Sequence, residues 1–248
     1  MRILGVKIDE YTQPEALQKV ALFLSQKGQK KIFTPNPELL VQAQDDPYFK
    51  EVLNGADLSL CDGKGIQLVS KPTLERIPGV DFMVALCALA AKQRKSIFLL
   101  GSSSNEIAER TAQKLQEKFP TLNIVGFDQG PRVQENAEKK LVIEANEQQK
   151  TIDYINTAKP DILFVAFGSP KQEKWITENL YLLPSVKIAM GVGGSFDFIS
   201  GKVKRAPLLL RRLGLEWLYR LSKEPKRFFR IYNATFKFVS LFIKTRGK

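Results

Sequence analysis

Histidine is absent from the 248 residues. Its absence removes Ser-His-Asp and Cys-His nucleophile pairs, zinc sites of the HExxH kind and any imidazole general base. Cysteine is scarce. Cys61 and Cys87 sit in apolar runs without CxxC spacing, the pattern of reduced thiols in a cytoplasmic compartment. No run of about eighteen uninterrupted apolar residues occurs, so no membrane span is expected. The opening MRILGVKIDE has no signal-peptide apolar core, so export by the usual route is not expected either. With 44% hydrophobic and 26% charged residues, the composition excludes disordered, collagenous and coiled-coil chains.

Charge is unevenly spread. Residues 202–248 carry fourteen Lys or Arg against two acids, Glu216 and Glu224, whereas the other 201 residues carry 24 bases and 24 acids. The whole net charge of +12 therefore lies in the last fifth of the chain. Such a basic terminal block seeks phosphate, on a membrane surface or on nucleic acid.

The rest alternates short apolar runs with longer amphipathic ones. Strands are predicted over Lys30–Thr34, Ala56–Cys61, Ser96–Gly101, Asn123–Phe127, Asp161–Gly168 and Val186–Gly191. Most of these are continuous apolar runs, as in strands buried on both faces. Helical spacing predicts helices over Glu15–Gln26, Pro37–Gln44, Val80–Ala91, Glu106–Phe119, Ala137–Lys150 and Gln172–Asn179. This alternation implies an α/β, Rossmann-like, mainly parallel sheet with helices on both faces. Residues 1–200 are expected to form that catalytic body, and 201–248 a basic, amphipathic, helical C-terminal appendage.

Ligands of such sheets lie beyond the carboxyl ends of the strands. The residues there include Thr34 and Asn36; Asp62, Gly63 and Gly65; Gly101; Gly168 and Pro170; and Gly191, Gly193, Gly194 and Asp197. Small, polar and glycine-rich segments at five strand ends predict a cleft for a polar ligand, although loops in general are built from the same residues. The run from Gly191 fails the GxGxxG fingerprint, because Phe196 stands at the third glycine position. Together with the missing histidine, this disfavours a nicotinamide-dependent oxidoreductase. The backbone amides at these glycines can still cradle a diphosphate, and the helix start after Pro170 can face an anion. Gly101, Gly168, Pro170, Gly191, Gly193, Gly194 and Asp197 are thus candidate nucleotide contacts, and Asn36 a candidate substrate contact. Asp62 is a candidate general base toward a substrate hydroxyl, since no histidine competes for that role. A helix cap or turn would use an aspartate there equally well.

On a helical wheel Lys226, Arg227, Lys237 and Lys244 fall within about 60° of Arg230. Phe228, Ile231, Tyr232, Phe236, Val239, Phe242 and Ile243 lie opposite, with Leu241 the main exception. A cationic stripe backed by an aromatic and aliphatic one is the pattern of a helix lying in a membrane interface. The alternative is an ordinary surface helix packed on the body.

Taken together, these segments resemble the WecG/TagA/CpsF-type bacterial glycosyltransferases (glycosyltransferase family 26) nearly end to end. The likeness is carried by TPNPE from Thr34, CDGKG around Asp62, ERIPGVDF from Glu75 and FLLGSSSN from Phe98. It continues through PDILFVAFGSPKQEKWI from Pro160, GVGGSFDFISGKVKRAP from Gly191 and GLEWLYRLSKEPKRFFR from Gly214. The resemblance implies inverting, metal-independent transfer of a sugar of the N-acetylmannosamine, uronic acid or glucose type from a UDP donor. The implied acceptor is a sugar joined through diphosphate to a polyprenyl lipid, at the inner face of the cell membrane, in polysaccharide or teichoic acid synthesis. It also implies Asp62 as base with Thr34 close by, and substrate contacts at Arg76 and Gln172. Appendage arginines matching Arg220, Arg227 and Arg230 would neutralise the diphosphates. No cofactor is implied, and self-association is.

Two other classes compete: a nucleic-acid-binding protein and a non-catalytic membrane-surface module. The first is disfavoured because the tail interleaves its bases with a continuous apolar stripe rather than with isolated stacking aromatics. UDP release with a lipid-linked sugar discriminates the enzyme from the second. Asp-x-Asp, with which many nucleotide-sugar enzymes hold a divalent ion, is missing. Turnover is therefore expected to survive EDTA; a complete, magnesium-reversible loss would overturn this.

Overall fold

Strands that are apolar at every position need cover on both faces. The computed structural model, which describes residues 1–70, 74–223 and 231–246, supplies it. Two short antiparallel pairs, β1 (Arg2–Ile3) with β2 (Val6–Lys7) and β7 (Gln134–Glu135) with β8 (Leu141–Val142), flank a six-stranded sheet. That sheet comprises β3 (Lys30–Phe33), β4 (Leu58–Ser59), β5 (Ser96–Gly101), β6 (Asn123–Asp128), β9 (Ile162–Ala166) and β10 (Ile188–Gly191). Its order is β4-β3-β10-β9-β5-β6, and all six strands run parallel.

Alternation along each strand divides the core in two. Ile97 and Leu99 of β5 face a layer made by α1 (Gln13–Ser25), α5 (Gly79–Lys92), α6 (Asn105–Lys118) and α9 (Ser195–Ile199). Phe98 and Leu100 face α2 (Pro37–Asp45), α3 (Pro47–Asn54), α4 (Lys64–Val69), α7 (Ala145–Ala158) and α8 (Lys171–Asn179). The chain winds outward from β3 to β4 on one side and from β5 to β6 on the other, and β10 and β9 fill the middle. At such a reversal, beyond the carboxyl edge, ligands of open α/β sheets bind.

One predicted helix needs correction. The stretch Ala137–Lys150 begins not as helix but in the β7–β8 hairpin, whose turn holds Lys139 at φ +60°. The helix starts at Ala145, where the Glu144 carboxylate caps the amides of Asn146 and Glu147, and it runs on to Ala158. A tertiary contact accounts for the hairpin. Lys174 on α8 is fully buried and donates to Glu135 Oε1 (2.6 Å), to the Lys139 carbonyl (2.6 Å) and to Asp46 Oδ2 (2.7 Å). Three acceptors on a buried ammonium offset its desolvation, and they pin the hairpin and α3 to α8.

The basic segment continues with α10 (Leu208–Leu213), α11 (Glu216–Lys223), a π-helical turn at Asn233–Lys237 and a C-terminal helix at Phe238–Arg246. Phe238 is fully buried and belongs to the core of the α2 side, where Leu241 and Phe242 pack against it. Lys237 pairs with Asp45 at 2.8 Å. The wheel's exception, Leu241, thus lies on the docking side, and Phe238 is the residue that anchors it. Tyr232, Phe236, Val239 and Ile243 remain exposed, Phe236 at 71% and Ile243 at 65%. No helix among the described residues is long and apolar enough to cross a membrane.

Truncating a buried phenylalanine removes its transfer free energy and leaves a cavity. Phe238→Ala is expected to destabilise the chain by about 3–5 kcal/mol, read as a lower urea midpoint. An unchanged midpoint would mean that this helix does not pack as described.

Candidate active site

The loops at the carboxyl edge form three connected groups. In the first, Asp62 follows β4 and donates its own N–H to the Pro35 carbonyl, which ties the loops after β3 and β4 together (2.9 Å). Its carboxylate Oδ2 accepts from the backbone N–H of Gly79, the first residue of α5, at 2.9 Å. Gly79 has no room for a side chain, since a Cβ there would lie 2.8 Å from Thr34 Oγ1 and 3.3 Å from Asp62 Oδ2. Thr34 and Asp62 are thereby brought together at one helix start. Burial pushes the Asp62 carboxyl up, the Gly79 N–H and Arg76 pull it back, and Glu216 and Asp81 push it up again, leaving it at about 6. Arg76, half-buried in the loop before α5, supplies positive charge beside it.

Asn36 acts locally, its side-chain oxygen capping α2 by accepting from Leu39 N–H at 3.1 Å. Gly63 packs on Pro37, and Gly65 lies between Pro37 and Phe238. The C-terminal helix therefore packs on the first turn of α4, which follows the loop that carries Asp62.

The second group surrounds Gln172. Gln172 is buried; its Oε1 accepts from Gly193 N–H at 2.9 Å and its Nε2 donates to Glu173 Oε1 at 2.7 Å. A Cβ on Gly191 would lie 2.9 Å from Gln172 Nε2. Gln172 thus fixes the glycine loop after β10 against α8, and burial raises the pKa of Glu173 beside it. Pro170 begins α8 after a cis Ser169–Pro170 peptide. At Gly168 and Gly194 a Cβ would meet nothing within 4 Å, so both α-carbons face open space. The third group joins two further loops. Asp197 on α9 pairs with Lys202 (3.5 Å), and Lys202 donates to Ser103 Oγ (2.6 Å) in the loop after Gly101. Gly101 itself presses on the backbone of Ala166.

Of the appendage arginines, Arg220 lies on α11, while Arg227 and Arg230 lie outside the described residues, as does Lys226 of the cationic stripe. Among the described residues no group of three or more Cys, Asp or Glu is arranged to hold a metal ion. Four residues that the sequence does not single out belong to the site: Gly79, Asp81, Arg205 and Glu216. The first two stand in ERIPGVDF and the others in GKVKRAP and GLEWLYR, so motif membership is their only signal in the sequence.

The Glycosyl transferase WecG/TagA/CpsF family matches residues 1–248. A protein of Bacillus spizizenii strain W23 is 36% identical over 226 residues, covering 90% of this chain and 82% of the relative. Proteins of Staphylococcus aureus strains MRSA252 and MW2 are 32% identical over 235 residues, covering 92% of this chain and 87% of each relative. All three are named N-acetylglucosaminyldiphosphoundecaprenol N-acetyl-beta-D-mannosaminyltransferase.

The folded chain holds the Asp62 proton more tightly than an unfolded chain, whose value would be near 3.8. Ionising it therefore destabilises the fold progressively as pH rises from that value through about 6, and the full cost stands above it. Asp62→Asn keeps an oxygen for the Gly79 N–H. It is expected to stabilise the fold by about 1–3 kcal/mol at about pH 8 and hardly at all at about pH 3.5. Urea unfolding at the two pH values checks this; no difference between them would mean that the site does not perturb Asp62.

Proposed function

The chain belongs to the Glycosyl transferase WecG/TagA/CpsF family, and from that premise we propose that it transfers N-acetylmannosamine from a UDP donor to N-acetylglucosaminyl-diphosphoundecaprenol, with inversion and without a metal. The relatives' names carry the sugar and the acceptor. The observation that supports the chemistry is Asp62, a carboxylate at a strand end with a pKa of about 6. At neutral pH it is ionised, yet basic enough to take the proton of an acceptor hydroxyl as that oxygen attacks the anomeric carbon. The UDP leaves from the opposite face of the sugar. Its glycosidic C–O bond breaks as the new one forms, and the proton stays on Asp62.

The departing diphosphate needs positive charge, which guanidiniums can supply where no metal does. Arg220, Arg227 and Arg230 are suited to this by their positions in the family pattern, while Arg76, beside Asp62, is suited to contact the acceptor. The open space at Gly168 and Gly194 suits a nucleotide approaching the loops after β9 and β10. A lipid-linked acceptor also requires a membrane surface. The exposed Leu208, Leu209, Leu213 and Leu218, with the outer face of the C-terminal helix, favour peripheral binding to an anionic bilayer, which we assign to the inner leaflet.

Asp62→Asn is expected to lower turnover about 10²–10⁴-fold while leaving UDP affinity nearly intact. The assay is UDP release from UDP-N-acetylmannosamine with a short-chain N-acetylglucosaminyl-diphospho-lipid. Retention of more than half of the wild-type rate would remove Asp62 as the base.

A further inference from the structure

Arg205 stands in the loop between α9 and α10, yet it is only partly exposed and held on three sides. Its Nη2 is 3.2 Å from Asp81 Oδ2, and Nη1 hydrogen-bonds Oδ1 of the same carboxylate. Its Nε faces Glu216 Oε1 on α11 at 3.6 Å, and the guanidinium lies 5.8 Å from the Phe198 ring centroid on α9. Asp81 stands in the first turn of α5, two residues beyond the Gly79 N–H that binds the Asp62 carboxylate. We propose that Arg205 is a positioning residue that fastens α11 to the start of α5 and offsets one of the two negative charges that Asp81 and Glu216 bring to bear on Asp62.

The inference rests on the reading of Asp62 as base. Among the described residues, the charged and titratable groups acting on Asp62 are Arg76 from the loop before α5, Asp81 from α5 and Glu216 from α11, with the Cys61 thiol adjacent in the chain. Asp62, Asp81 and Glu216 are three carboxylates, and Arg76 is one cation. Without Arg205, Asp81 and Glu216 would outnumber Arg76 and leave one uncompensated negative charge around the half-buried base, and Asp62 would hold its proton to higher pH. Burial alone would lower the Arg205 pKa, but its hydrogen bonds and charge pairing with Asp81, reinforced by Glu216, raise it. The cation therefore persists throughout the working range. Arginine suits the place better than lysine: two nitrogens grip one carboxylate in parallel while the third turns to a different helix. The motif GKVKRAP then has a physical reason for its arginine. It couples the seating of α11 on α5 to the charge state of the base.

The test is the acid limb of the kcat/KM–pH profile, measured with UDP-N-acetylmannosamine and the short-chain lipid acceptor. Activity needs ionised Asp62, so the limb falls as pH drops through its pKa. In Arg205→Gln the limb is expected to move to higher pH, by on the order of 0.5 unit or more. Arg205→Lys keeps the charge but loses the fork, and should hold the limb near wild type with a lower rate. Glu216→Gln removes one negative charge and should move the limb to lower pH. A purely structural Arg205 would reduce rate with every limb in place, which would overturn the inference. If Arg205→Gln does not fold, the Arg205→Gln/Glu216→Gln double variant is compared with Glu216→Gln alone: a limb at higher pH in the double variant supports the inference, and equal limbs overturn it. The underlying reading fails separately. If Asp62→Asn remains active with the wild-type profile, the limb is not that of Asp62 and both readings fall. If Asp62→Asn is inactive and the limbs do not move, only the role of Arg205 falls.

Discussion

One backbone hydrogen bond organises the candidate active site, that from Gly79 N–H to the Asp62 carboxylate. It joins the loop after β4 to the start of a fourteen-residue helix, and it can form only because position 79 carries no Cβ. A methyl group there would press on Thr34 Oγ1 and drive α5 away from the sheet edge. The helix start offers Asp62 a donor and a favourable dipole, which offset part of the desolvation that burial imposes. Balance between these opposed effects leaves a carboxyl of about 6. A fully solvated aspartate would be a weaker base, and one buried without the Gly79 N–H or Arg76 would hold its proton to higher pH.

The same balance extends outward through charge. Asp81 lies on α5 and Glu216 on α11, and Arg205 stands between them. The basic segment thus meets the body electrostatically at Arg205 and by packing at Phe238, which enters the core beside Gly65. The stretch from Ile231 to Arg246 has two apolar faces rather than one. Phe238, Leu241 and Phe242 dock it, while Tyr232, Phe236, Val239 and Ile243 stay in solvent. A helix already satisfied on one side and still apolar on the other has surface to offer a lipid interface, and its placement would bring that interface close to the Asp62 loop.

Away from the site, the buried Lys174 shows how a long-range contact can override local preference. Residues 137–142 have the spacing of a helix, but the ammonium of Lys174 needs acceptors. The hairpin provides two of them, the Glu135 carboxylate and the Lys139 carbonyl. Nothing within the segment announces that demand, because its source is on α8. The short helix Pro47–Asn54 escapes a sequence reading for a related reason. Its cap, Asp46, serves both the Phe49 N–H and Lys174, and the second bond is invisible in sequence.

Sequence alone determined the six sheet strands, since continuous apolar runs bounded by Gly, Pro and Asp can satisfy their backbones only inside a two-sided sheet. It also determined that Thr34, Asp62, Gly101, Gly168 and Gly191 lie at one edge, because parallel strands present all their carboxyl ends on one side. The absence of histidine, a matter of composition, made an aspartate the candidate base. Only the tertiary structure decided which residues tune that aspartate. Gly79, Asp81, Arg205 and Glu216 are separated by up to 137 positions in the chain, and no periodicity relates them. Asp81 and Glu216 act on Asp62 through space, over distances fixed by how α5 and α11 pack, and Arg205 pairs with both. Burial, which moves the carboxyl furthest, is a property of the folded molecule and of no residue by itself.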